Sequence, residues 1–208
     1  MYSDKTNAGF SITYAVERAT QFGIELKVAV VRPSLDDRQD DPNYLTNHLG
    51  AIRKGFKAVV VDEKRPWEIL NNKQVKAADV VIIEEVQFFR PGIGQLVMEL
   101  HKLGKRVYLL GLDLDFLGKP FPAFRAIKLA LGLLEADQWE LNLLTGICHH
   151  CGRRASHSLR FIGGQLAPAD SGTFATEGSQ KKGKVVSYMP VCQAYHRKKL
   201  EAAGIEVP

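Results

Sequence analysis

Four short apolar runs, rich in β-branched residues, recur between helix-like stretches, and they constrain the fold more than any other feature of the chain. They are "LKVAVV" (Leu26–Val31), "AVVV" (Ala58–Val61), "DVVIIE" (Asp79–Glu84) and "RVYLLG" (Arg106–Gly111). Apolar runs without polar alternation predict strands buried on both faces, as in a parallel sheet covered by helices. The intervening segments fit that cover. "GQLVMELHKLGK" sets Leu96, Val97, Leu100 and Leu103 on one helical face and stops at Gly104, a residue suited to a C-terminal cap. "PAFRAIKLALGLLE" opens on Pro122 at a tolerated first-turn position. Strands and helices in alternation predict an α/β fold with right-handed crossovers.

Near Thr145 the character of the chain changes. Cys148-x-x-Cys151 is followed by a Gly/Ser/Lys-rich stretch from Gly163 to Lys184 and then by Cys192. The change predicts an α/β domain over 1–144 and a small metal-held domain over 145–208, with a long flexible loop whose solvated tip is Gln180–Lys184. Three cysteines are too few for a disulfide framework, and the paired spacing favours a reducing compartment and metal binding. Cys148 and Cys151 suit one half of a tetrahedral zinc site, and Cys192 begins the other. Tyr195 is a poor zinc ligand. His196 could complete the set, with His149 and His150 as local competitors.

An apolar content of 45% and a charged content of 25% are ordinary for a soluble globular protein. No apolar run approaches the roughly 20 residues of a membrane span, and no secretory signal is visible. A cytoplasmic protein is expected. The net charge of +5 suits nucleic acid and nucleotide phosphates equally.

Candidate chemistry gathers at the C-terminal ends of the predicted strands, where an open α/β sheet keeps its ligand crevice. Glu84 and Glu85 close the third apolar run, with Gln87, Phe88 and Phe89 behind them. One such carboxylate can hold Mg²⁺ through water while its neighbour takes a proton from an attacking hydroxyl. "GLDLDFLGKPF" leaves the next strand at the same edge and brings Leu112, Asp113, Asp115, Phe116 and Phe121, suited to a pocket for a flat base. "RPSLDDRQ" follows the first run with Asp36 and Arg38, and an arginine offers a planar fork to phosphate oxygens. At the start of the chain, "MYSDKTN" resembles the end of a phosphate-binding loop, with Ser3, Lys5 and Thr6 in register and Asp4 where a glycine is expected.

In this order the pieces resemble the type II thymidine kinases, the bacterial and animal cytosolic family, in a divergent or N-terminally truncated form. "MYSDKTN" is similar to the family's M-F-S-G-K-[ST], "RPSLDDR" to K-P-x-x-D-x-R and "NHLG" (Asn47–Gly50) to S-H-x-G. "IEEVQFF" resembles I-D-E-A-Q-F-F, and "GLDLDFLGKPF" resembles G-L-D-x-D-F-x-x-K-P-F. "GICHHCG" and "YMPVCQAYH" resemble the two zinc half-sites. The resemblance implies a P-loop, RecA-like parallel sheet with a zinc-ribbon lasso domain, usually in a homotetramer. It implies transfer of the ATP γ-phosphoryl group to the 5′-hydroxyl of thymidine, a salvage step that feeds DNA synthesis. By motif, Glu85 is the general base and Glu84 stands at the Mg²⁺-linked carboxylate. Ser3, Lys5, Thr6, Asp36, Arg38 and Gln87 match the ATP and Mg²⁺ side of the site. Met1, Phe88, Leu112, Phe116, Phe121, Ser158 and Tyr188 match positions around the nucleoside. Cys148, Cys151, Cys192 and His196 match the structural zinc ligands.

Three departures from the family pattern carry expectations of their own. The strand and first glycine that precede the phosphate loop have no counterpart. Asp4 places a carboxylate where the loop should receive an anion. Like charges at about 4 Å cost about 4 kcal/mol at an effective dielectric near 20, which corresponds to roughly a thousandfold in ATP affinity. Ile162-Gly163-Gly164 lies well upstream of Tyr188, whereas the family carries I-G-G shortly before that tyrosine. Two rival functions follow. A non-catalytic paralogue that binds a nucleoside is favoured by Asp4. A basic zinc-ribbon protein that binds nucleic acid is disfavoured, because the aromatics cluster at the sheet edge and do not interleave with Lys and Arg.

Overall fold

The computed structural model describes residues 5–35, 45–46, 52–53, 58–176, 178–181 and 183–206. Met1, Ser3, Asp4, Asp36 and Arg38 lie outside them, and Lys5 and Thr6 are described as helical backbone only. The chain divides into two compact units. One carries the parallel sheet together with Pro122–Leu141, and the other joins Asp113–Phe121 to the chain from Asn142 onward.

The first unit runs α1 (Lys5–Gln21), β1 (Val28–Pro33), the short strands β2 (Leu45–Thr46) and β3 (Ile52–Arg53), β4 (Ala58–Val61), α2 (Glu68–Asn71), α3 (Lys73–Ala77), β5 (Val80–Ile83), α4 (Ile93–Lys102), β6 (Arg106–Leu109) and α5 (Pro122–Leu131). Four strands form a parallel sheet in the order β4-β1-β5-β6. Each predicted apolar run supplies one of them. The first strand is displaced, since β1 starts two residues after Leu26 and continues through Arg32 and Pro33.

The sheet is covered on both faces, and strand pleating assigns alternate residues to each. Ala29, Val31, Val81 and Ile83 face one core with Ile93, Leu96 and Leu100 of α4 and Ala123 and Ile127 of α5. Val30, Val80 and Ile82 face the other, which holds Val16 of α1. Strand β5 lies between β1 and β6 and is buried along its whole length, whereas β6 at the sheet's margin is half-buried. Helix α4 buries Leu96, Val97 and Leu100 as its spacing predicts. Leu103 departs from that stripe. It is the C-cap residue, past the last helical turn, and is 64% exposed. Gly104 then takes the left-handed conformation (φ +73°) that ends the helix.

The second unit contains β7 (Gly146–Ile147), β8 (Arg154–Ala155), β9 (His157–Ile162), β10 (Gln165–Leu166), β11 (Gln180–Lys181), β12 (Lys184–Val191) and α6 (Gln193–Ala202). β7 and β8 form a hairpin, and the other four strands make an antiparallel sheet in the order β10-β9-β12-β11. The Gly163–Lys184 stretch, expected to be one long flexible loop, therefore contributes β10, β11 and the start of β12. Gly163 and Gly164 both have positive φ and link β9 to β10 as a two-residue hairpin turn. Phe116, Leu117, Ala155, Leu159, Val191 and Leu200 share the core of this unit.

Helices α4 and α5 approach through Gly94, where an added Cβ would stand 2.6 Å from the Ala126 carbonyl oxygen. Gly94→Ala must push backbone apart, and overpacking of this kind costs about 1–3 kcal/mol. The expected outcome is a lower thermal midpoint, read by circular dichroism, with the folded spectrum retained.

Candidate active site and metal centre

Strand β5 carries two acidic residues out of the sheet. The Glu84 N–H donates to the Val31 carbonyl at 2.8 Å and extends the strand pairing by one step. Its side chain is largely buried. At Glu85 the backbone turns over into the left-handed region, with φ 46° and ψ 42°. It is the one non-glycine residue with positive φ among the described residues. That conformation costs about 1–2 kcal/mol for an ordinary side chain, so the surrounding contacts must hold it.

The holding group is Gln87, in the short 3₁₀ turn Val86–Phe88. It is 1% exposed, and both ends of its amide are engaged. Nε2 donates to Glu85 Oε2 in a short hydrogen bond. Oε1 accepts the Leu112 N–H at 3.0 Å. The Val86 N–H donates to the Leu110 carbonyl at 3.0 Å, so the exits of β5 and β6 are tied together twice. Gly111 makes this possible. A Cβ there would lie 2.6 Å from Val86 Cγ1 and 2.7 Å from Gln87 Oε1. Glu84, Glu85, Gln87, Phe88 and Leu112 are thus brought together in the first unit. The arrangement presents an oriented carboxylate that can accept a proton, beside a second carboxylate that can hold the water shell of a cation.

Phe116, Phe121, Ser158 and Tyr188 all belong to the second unit. Phe116 and Phe121 are buried, and the Phe121 ring stacks on Phe174 with centroids 6.1 Å apart. The Tyr188 hydroxyl donates to the Ala175 carbonyl at 2.7 Å. Ser158 Oγ is buried without a hydrogen-bond partner. Asp115 is not a free pocket carboxylate. Its Oδ1 accepts the N–H groups of Leu117 and Lys119, each at 2.9 Å, and shapes the turn between the two phenylalanines.

Cys148, Cys151 and Cys192 present three sulfurs within 4.8 Å of one another. Burial alone would push the Cys148 thiol up. The N–H groups of Cys192, His150 and Cys151 donate to its sulfur and outweigh that, bringing it down to about 6. A cluster of thiols with one poised as thiolate fits a soft, tetrahedral cation such as Zn²⁺. His196, expected as the fourth ligand, stands outside this group. Cys192 caps α6, whereas His196 lies a full turn along it and shares the buried face with Leu200. Its Nε2 is 2.9 Å from the Phe116 carbonyl oxygen, and its ring packs against His157. His150 stacks on Tyr195 with ring centroids 3.9 Å apart.

A carboxylate pair at the end of a buried parallel strand, with a three-cysteine cluster in a separate small unit, is the arrangement that the motif resemblance implies. The family model described as thymidine kinase matches residues 1–196. The chain belongs to the thymidine kinase family. A relative named thymidine kinase from Thermococcus kodakarensis is 31% identical over 196 residues, which is 94% of this chain and 89% of the relative. One of the same name from Deinococcus deserti is 32% identical over 173 residues, covering 82% of this chain and 79% of the relative. Membership accounts for the P-loop type of α/β sheet. Among the described residues, no helix is long and apolar enough to cross a membrane.

Two residues matter to the site in ways that their sequence context does not show. Gly111 reads as a strand end, and its need for a bare Cα emerges only from the closeness of Gln87. Arg160 reads as an ordinary polar position in a strand, yet it is fully buried. Its shared period-2 face with Ser158 is the one sequence cue to its place.

The cluster predicts how metal content responds to substitution. Cys148→Ser should remove bound zinc, measured by elemental analysis of the purified protein. His196→Ala should keep stoichiometric zinc and lower the thermal midpoint, because it loses the bond to Phe116 and leaves a buried void. Loss of zinc in His196→Ala would return that residue to the ligand set.

Proposed function

We propose that the chain transfers the γ-phosphoryl group of ATP to the 5′-hydroxyl of thymidine. The observation that carries this reading is Glu85, held in a left-handed turn at the end of β5 with its carboxylate fixed by Gln87, in a chain of the thymidine kinase family. Phosphoryl transfer needs little covalent chemistry from the protein and much positioning. Glu85 takes the proton from the attacking hydroxyl. Glu84 would hold the water shell of a Mg²⁺ ion, which would supply charge neutralisation for the phosphates when bound. Lys5 and Thr6, at the N-terminus of α1, act on the phosphates together with Ser3, Asp36 and Arg38. By the family motifs, the residues that meet the nucleoside are Met1, Phe88, Leu112, Phe116, Phe121, Ser158 and Tyr188. Zinc held by Cys148, Cys151 and Cys192 has a structural role. The working form is a cytoplasmic homo-oligomer, most simply a tetramer.

Asp4 favours a second reading, in which the nucleoside binds but the phosphate loop no longer receives ATP. Calorimetric titration with MgATP addresses it. Weak binding is expected in the chain as given and tighter binding in Asp4→Gly. Micromolar affinity without the substitution would show that the loop tolerates the aspartate.

Glu85→Gln tests the reaction itself. The amide keeps the shape but cannot accept the proton, so turnover should fall by about 10²–10⁴ while thymidine binding stays within a few-fold. Wild-type turnover in this variant would remove the base assignment.

A further inference from the structure

Arg160, on β9, is a fully buried cation whose contacts all lie in one place. No carboxylate is within ion-pair distance of it among the described residues. Nη1 donates to the Thr173 carbonyl at 3.3 Å, and Nη2 donates to Ser171 Oγ and to the Gly172 carbonyl at 2.6 Å. The guanidinium carbon stands 3.6 Å from the centroid of the Phe116 ring. Burying a charge without a counter-ion is expensive, and among the described residues it is offset by main-chain carbonyls, one hydroxyl and an aromatic face.

The segment that receives these bonds is tied down residue by residue. Ser171, Gly172 and Thr173 meet Arg160. Phe174 stacks on Phe121. The Ala175 carbonyl accepts from Tyr188, and the Thr176 carbonyl accepts from Ser179 Oγ at 2.6 Å. Arg160 and Tyr188 are opposite one another across β9 and β12. Ser158, two residues before Arg160, lies on the same face of β9. Ser158 Oγ and Arg160 Nε are both buried without a partner. Those two atoms lack a partner among the described residues, a state that a ligand's polar atoms would relieve.

We propose that Arg160 is the positioning residue of the nucleoside side of the site. Its planar fork fixes the strap 171–176 against Phe116, Phe121 and Tyr188, and so sets affinity and selectivity for a pyrimidine deoxynucleoside without acting on the transferred phosphate. The inference rests on the proposed reading that these aromatics meet the nucleoside. A lysine at this position would keep the charge and the contact with Phe116. It has no fork to span Ser171, Gly172 and Thr173 at once.

The test compares wild-type protein with Arg160→Lys and Phe174→Ala. Hydrogen exchange without ligand should speed up in 171–176 in both variants, with the β9–β12 pairing still protected. In steady-state assays the thymidine KM should rise about tenfold with kcat nearly unchanged, the pattern of lost binding that is uniform between ground and transition states. Discrimination between thymidine and deoxyuridine should narrow. Wild-type exchange of the strap, or a loosened strap with unchanged KM and selectivity, would overturn the proposal. An equal fall in kcat and kcat/KM would also overturn it, since that places the effect on the chemical step. If Arg160→Lys does not fold, Ser171→Ala joins Phe174→Ala as the deciding pair, because both leave the arginine in place. Failure of wild-type protein to bind thymidine would instead overturn the underlying functional reading, and the two failures are thereby distinguished.

Discussion

The desolvation of β5 is the constraint on which the first unit depends. Val80, Val81, Ile82 and Ile83 are at most 1% exposed and have no polar side to turn toward water. A strand of this kind is stable only when paired on both edges and covered on both faces. β1 and β6 supply the pairing, and α4 and α5 on one face and α1 on the other supply the cover. Polar chemistry then has nowhere to sit but the strand ends. Glu84 and Glu85 stand at the first positions where the chain leaves that environment. Gln87 and Gly111 convert this exit into a fixed geometry by joining it to the exit of β6.

The second unit faces a different problem. Its sheet is small, and short domains with little apolar surface need additional ties. Three cysteine sulfurs drawn together at the start of α6 and the end of β7 provide one set of ligands for such a tie. A buried arginine provides another, by gathering loop carbonyls that would otherwise need water. The cysteines join segments far apart in the chain, and the arginine joins β9 to the loop that follows β10.

What the sequence made legible follows from this division. Continuous apolar runs located the four parallel strands, and in β5 that run reflects burial on both faces. Gly104 marked the end of α4 because a left-handed cap favours glycine. Periodicity overreached at Leu103, where the helix had already ended. Composition also misled between Gly163 and Lys184. Glycine and lysine enrichment suggested a loop, but the paired glycines form a hairpin turn, and Arg160 orders the strap beyond β10. Sequence spacing near Cys192 could not show that His196 faces the interior one turn into α6. Nor could it show that Asp115 spends its carboxylate on its own turn. Each of these depends on which way a side chain points, and that is set by packing partners distant in sequence.

The central claim is that the strand-end carboxylates serve transfer of a phosphoryl group to a nucleoside hydroxyl. Its most direct test uses γ-labelled ATP at saturating concentration with Mg²⁺, following ADP and thymidine 5′-monophosphate together. The account predicts that label passes to thymidine one-for-one with ADP release, and that ADP formation needs the nucleoside. Thymidine-independent ADP release with no labelled nucleotide, or no transfer even in Asp4→Gly at saturating ATP, would contradict it.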